Sequence, residues 1–217
     1  MIAKPRPNNL RLYLIICLVC LCVNQTCKAG EVDVTLLFVR HRPLEWTKSE
    51  YGYLLAVNFA AIGSCLLFVL PLLSERFQIK DTTIIIGVVC FKIVRLLVMA
   101  FAREDWLVYF STILDSPIGM VISCIKSIIS KITDESETGK AFAIQASIET
   151  ASGMLGAMFF NSLYDASFRS FLGTTFLVEA VIYVGLLGIA IWMWKTLEAQ
   201  YNVSLYFKLN IFEIGNP

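Results

Sequence analysis

A chain of 217 residues that is 57% hydrophobic, 16% charged and has a mean hydropathy of +0.70 is composed as an integral membrane protein, not as a soluble domain. Its net charge of +1 provides no global field to draw nucleic acid, so no nucleic-acid partner is expected. Cys17, Cys20, Cys22, Cys65, Cys90 and Cys124 sit in apolar runs, where a thiol packs as a small hydrophobe, and His41 is the single histidine. Cys17-x-x-Cys20 is therefore a poor metal or redox site, and no metal is expected.

Residues 1–9 are polar and basic, with Lys4 and Arg6, and residues 10–23 are apolar. A secretory signal cleaved near residues 27–30 is one reading. The preferred one is a single long helix over 10–39, long enough at about 1.5 Å per residue to cross a bilayer and its interfaces. A polar loop follows, containing Pro43 and Trp46, the latter a candidate interfacial anchor. Further spans are expected at 51–73, 82–102, 106–130, 140–163 and 171–197, making an all-α bundle of six transmembrane helices over 10–197. Lys and Arg on the flanks favour a cytosolic N-terminal segment, 1–9, and a cytosolic tail, 198–217.

Ionisable side chains inside such spans are costly and mark function or a partner. Lys92 and Arg95 lie one turn apart in the third span and need counter-charges, for which Asp115, Glu149 and Glu179 are available. They either bind an anionic substrate or form ion pairs that hold helices together. Asp115, Gly119, Ser123 and Lys126 recur at spacings of four, four and three, one face of a continuous fourth span. Pro117 and Gly119 loosen that helix, which suits a gate, while Lys126 either lines a pathway or snorkels to the interface. In the fifth span, Ser152 and Gly156 suit close packing, whereas Glu149, set among small apolar residues, is expected to exchange a proton or balance charge. Glu31, Asp33 and Glu179 are expected nearer the outer boundary, in contact with water.

Ser130-Lys131, Gly139-Lys140-Ala141-Phe142-Ala143, Ala146-Ser147-Ile148-Glu149 and Asn161-Ser162-Leu163-Tyr164 together resemble the signature of the proton-coupled folate transporter family. That family is the folate and thymic-stromal cotransporter branch of the major facilitator superfamily, which includes lysosomal carriers of steroid and bile-acid conjugates. The resemblance covers 10–195 and corresponds to the family's C-terminal six helices, one half of the fold. It implies a secondary transporter, a symporter of small organic anions driven by protons, in the plasma membrane or a lysosomal or endosomal membrane. No metal or organic cofactor is implied, and protons serve as the coupling ion. Lys92, Arg95 and Lys126 would attract the anion, Asp115 and Glu149 would couple protons or balance charge, and Pro117 with Gly119 would gate. Lys126 stands where the family pattern has arginine, keeping the charge but losing the bidentate fork. The N-terminal six-helix half is either missing from this chain or supplied by another. The alternative is a non-transporting membrane partner or regulatory subunit derived from a carrier half. An enzyme is not expected, because the sequence shows no nucleophile motif or phosphate loop.

Overall fold

The computed structural model describes residues 10–41, 44–133, 135–167 and 171–214, with side chains undescribed at 10, 132, 135, 136 and 197–214. The expected N-terminal segment 1–9, and with it Pro43, lies outside the described residues.

Among the described residues all regular structure is helical, in six rods joined by short turns. The first, α1 (Leu10–Val39), is one uninterrupted helix of 30 residues, the preferred reading of that stretch. The second begins earlier than its apolar run. Thr47 and Glu50 form a reciprocal capping box, with Thr47 N donating to Glu50 Oε2 at 2.6 Å, and this starts α2 (Lys48–Ser64). Two π-helical turns, Cys65–Val69 and Leu72–Arg76, continue the rod on either side of Leu70-Pro71, where the proline removes a ladder donor.

The third rod, α3 (Asp81–Ala100), is regular. The fourth is broken: α4 (Asp105–Leu114) passes through Asp115 into a 3-10 turn, Ser116–Ile118, and then α5 (Gly119–Ile132). The break faces the π-helical part of the second rod. Cys65 Sγ donates to Ser116 Oγ at 3.3 Å, and a Cβ on Gly119 would stand 2.8 Å from Ile62 Cγ2.

The stretch between the spans expected at 106–130 and 140–163 is helical from Glu135, where α6 (Glu135–Ser167) begins, because carboxylates favour the positive end of a helix dipole. The last rod, α7 (Thr174–Ile214), runs beyond the expected span end at 197. After Gly188 no glycine or proline occurs before Gly215, so the chain meets nothing that stops helix propagation.

Packing sorts the rods into two close pairs, α1 with α6 and α3 with α7, bridged by α5. Small residues set the first pair. Gly156 lies directly against the Thr26 carbonyl and Gly30 against Phe160, so a Cβ at either would collide. Ser152 Oγ donates to Cys22 Sγ at 3.1 Å across the same seam, so Ser152 and Gly156 serve packing. Polar ties close the two ends. Asp81 accepts from Ser127 (2.9 Å) and Lys131 (2.6 Å) at one, and Trp46 Nε1 donates to Asp105 Oδ1 (2.7 Å) at the other. Trp46 is buried by that bond and is not an exposed interfacial anchor.

Five of the rods, all but α6, are long and apolar enough to cross a membrane. Helix α6 carries Gln145, Glu149 and a run of serines and glycines that lower its hydropathy. The second rod is the least buried, leaving Tyr53, Phe59, Leu67 and Phe68 exposed for lipid or another bundle.

Candidate functional site

Four helices place charged side chains in one buried layer: Glu31 from α1, Lys92 and Arg95 from α3, Asp115 at the end of α4, and Glu179 from α7. Lys92 and Arg95 are a turn apart on an apolar helix, so both heads leave α3 toward its neighbours. Lys92 Nζ donates to Asp115 Oδ1 at 2.8 Å and also to Glu31, which forms an ion pair with Arg95 as well. Asp115 follows the last turn of α4, whose outward carbonyls add partial negative charge beside the Lys92 ammonium. Lys92 also stands 5.7 Å from the centroid of the Tyr183 ring, and the Tyr183 hydroxyl donates to Asn24 Oδ1 at 3.0 Å. Glu179 is fully enclosed, and neither of its carboxylate oxygens has a hydrogen-bond partner.

A small cleft with a volume of about 60 Å³ borders the layer between α1, α2 and α4. Lys28, Glu31, Asn58, Arg95, Thr112 and Asp115 give it polar and charged walls, and Leu54 and Phe59 give it an apolar side. Converging charged groups on a largely apolar lining are features of small-molecule sites, but the space here suits water, and a solute needs the cleft widened.

A second ion pair lies at the bundle surface. Lys126 of α5 and Glu149 of α6 approach to 3.6 Å with side chains 47% and 24% exposed. Gln145 Nε2 donates to Glu149 Oε1 at 2.9 Å.

The spacing expected to align Asp115 with Lys126 holds only for a continuous helix. The 3-10 turn tightens the winding between them, so Asp115 meets Lys92 in the interior while Lys126 faces α6 at the surface. Pro117 lies within that turn and Gly119 opens the next helix against α2. Lys92 finds Asp115 as expected, but its second partner is Glu31, not Glu149 or Glu179. Glu31 and Glu179, expected near the watery boundary, are both buried. The sequence did carry a sign of this: Asn24, Lys28, Glu31 and Thr35, spaced four, three and four, form a polar stripe on α1.

Residues 14–206 match the sequence profile of the Major Facilitator Superfamily. The chain is 31% identical over 195 residues to solute carrier family 46 member 2 of Canis lupus familiaris, covering 89% of this chain and 39% of that protein. It is 28% identical over 194 residues to a lysosomal proton-coupled steroid conjugate and bile acid symporter of Gallus gallus, covering 89% of this chain and 41% of that one. To the proton-coupled folate transporter of Rattus norvegicus it is 28% identical over 182 residues, covering 81% and 38%. The chain thus spans about two fifths of the length of these relatives.

Proposed function

The chain belongs to the Major Facilitator Superfamily, and from that premise we propose that it forms one six-helix wall of a proton-coupled symporter for organic anions, folates or conjugated steroids and bile acids. In this superfamily two six-helix halves related by an axis along the membrane normal enclose a site near mid-depth. The chain supplies the C-terminal half, and a second six-helix unit completes the cleft. Its membrane is the plasma membrane or that of the lysosome.

The observation that carries this reading is the charged layer opening on the cleft. Arg95 and Lys28 line that cleft, so an entering carboxylate or sulfate competes with Glu31 for the guanidinium. Lys92 acts behind them, holding Asp115 and Glu31 in place. Asp115 and Glu149 balance charge, the first for Lys92 and the second for Lys126, which adds positive potential at the α5–α6 edge. The paired irregularities, the turn at Pro117 with Gly119 and the π-helical turns of the second rod, form the gate. Backbone already freed from regular helix rearranges at lower cost than an intact ladder.

The test is uptake into proteoliposomes by this chain joined to the N-terminal six helices of the rat folate transporter. A folate, a steroid sulfate and a bile acid would each be offered with and without an inward proton gradient. Gradient-driven uptake that disappears in Arg95→Ala supports the proposal. Uptake of none of the three by a well-folded chimaera would sink it. That result would favour a non-transporting membrane partner, a reading consistent with Lys92 and Arg95 being already ion-paired.

A further inference from the structure

Lys92 and Arg95 are matched in charge by Glu31 and Asp115, and Glu179 is left over. It is 0% exposed, and both its carboxylate oxygens lack a hydrogen-bond partner. The groups that act on it come from the elements packed around it: Lys92 and Arg95 on α3, Asp115 at the α4 end, Cys27 on α1, and Tyr183 on α7 itself. An ionised carboxylate enclosed without hydrogen bonds is among the costliest arrangements a protein interior holds, and such a group stays neutral or acquires a partner. Without a partner, the neutral acid is the less costly form there.

Loss of the proton changes the balance of the layer. Three carboxylates would then share Lys92 and Arg95, with Lys28 at the cleft acting on Asp115 as well, and Lys92 is the cation whose reach already extends to α7, over the Tyr183 ring. Any turn of Lys92 toward Glu179 weakens its hold on Asp115 and Glu31, which line the cleft. Tyr183 also borders a second, small cavity. Its lining is mostly apolar, with Asn24, Thr82 and Tyr183 as its polar members, and Asn24 Nδ2 has no hydrogen-bond partner.

We propose that Glu179 is the proton-binding group of this bundle, neutral while Lys92 holds Asp115 and Glu31, and ionised when Lys92 turns to it and frees those carboxylates at the cleft. The proton leaves the Glu179 carboxyl for water, and the carboxylate so formed takes Lys92 as its counter-ion. By linkage, an anion that binds the freed cleft alters proton affinity at Glu179 as much as the proton alters anion affinity. This role in coupling rests on the symport reading, whereas the presence of the proton does not.

The test therefore has two arms. In the first, the full chain in lipid nanodiscs is titrated by infrared spectroscopy, reading the carbonyl stretch of protonated carboxylic acids. It is also labelled with dicyclohexylcarbodiimide, which modifies protonated carboxyls in apolar surroundings, and mapped by mass spectrometry. An acid band that is lost in Glu179→Gln and shifted in Glu179→Asp supports the proposal. So does wild-type labelling that falls on Glu179, declines as pH rises and spares Glu31 and Asp115. A band unchanged in Glu179→Gln, or label on Glu31 or Asp115 with Glu179 unmodified at every pH, overturns it. The wild-type labelling decides the matter if the glutamine variant fails to fold. In the second arm, Glu179→Gln in the completed carrier loses acid stimulation of uptake. If the first arm holds and uptake in the completed carrier is absent or insensitive to pH, the proton site stands and the symport reading falls.

Discussion

Two of the bundle's ion-pair regions look alike in sequence and differ in their physics. In the interior, Glu31, Lys92, Arg95 and Asp115 are buried where α1, α3 and α4 meet, every charge placed against an opposite one. At the α5–α6 edge, Lys126 and Glu149 meet at 3.6 Å with solvent or a partner bundle beside them. Charges removed from water interact strongly but cannot be left single, while exposed pairs are screened and dispensable. The interior layer is therefore structural and functional at once, and the edge pair is free to change partners.

The largest expected effect comes from breaking the interior layer. Glu31→Ala leaves Lys92 and Arg95 with Asp115 alone, and a buried pair that loses one member costs about 3–5 kcal/mol. Denaturant or thermal unfolding in detergent should show that loss against Glu149→Ala as the reference. Equal stability of the two variants would mean that the layer is wetter than its burial indicates.

The α1–α6 seam ranks next. Gly156→Leu drives a side chain into the Thr26 backbone carbonyl, an overpacking expected to cost about 1–3 kcal/mol in the same assay. Gly139→Ala on the same helix is the control. Nothing lies within 4 Å of the added Cβ, so it should be neutral or stabilising through helix propensity, by up to about 1 kcal/mol. Similar losses at both glycines would show that propensity, not close approach, sets the seam.

The smallest effect is at the edge. A double-mutant cycle over Lys126→Ala and Glu149→Ala should give a coupling of roughly 0–1 kcal/mol that shrinks as salt is raised. A large, salt-insensitive coupling would place that pair in the interior class and abolish the contrast. The same cycle on Lys92 and Asp115 is expected to be several-fold larger and indifferent to salt.

How much of this was legible beforehand differed by residue. Lys92, Arg95 and Asp115 stood out because charges in apolar runs are rare, and Asp115 pairs with Lys92 as expected. Glu31 and Glu179 were placed too near the boundary, since a position along a span does not say which way a side chain turns. Glu149 was expected deep in the bundle and lies at its edge. The capping box at Thr47 and Glu50 was readable from a Thr-x-x-Glu spacing, yet the apolar run drew the helix start three residues later.

Hydrophobicity and helix-stopping residues are properties of short stretches, and for that reason the sequence by itself determined the solvent, the six rods and the family resemblance. Which charge meets which depends on the rotation of each helix about its own axis. A 3-10 turn at Ser116–Ile118 and bare glycines at Gly30 and Gly156 set that rotation through contacts with residues far away in the chain. Only the tertiary structure could decide that Glu31 completes the ion pairs and that Glu179 is left without a partner.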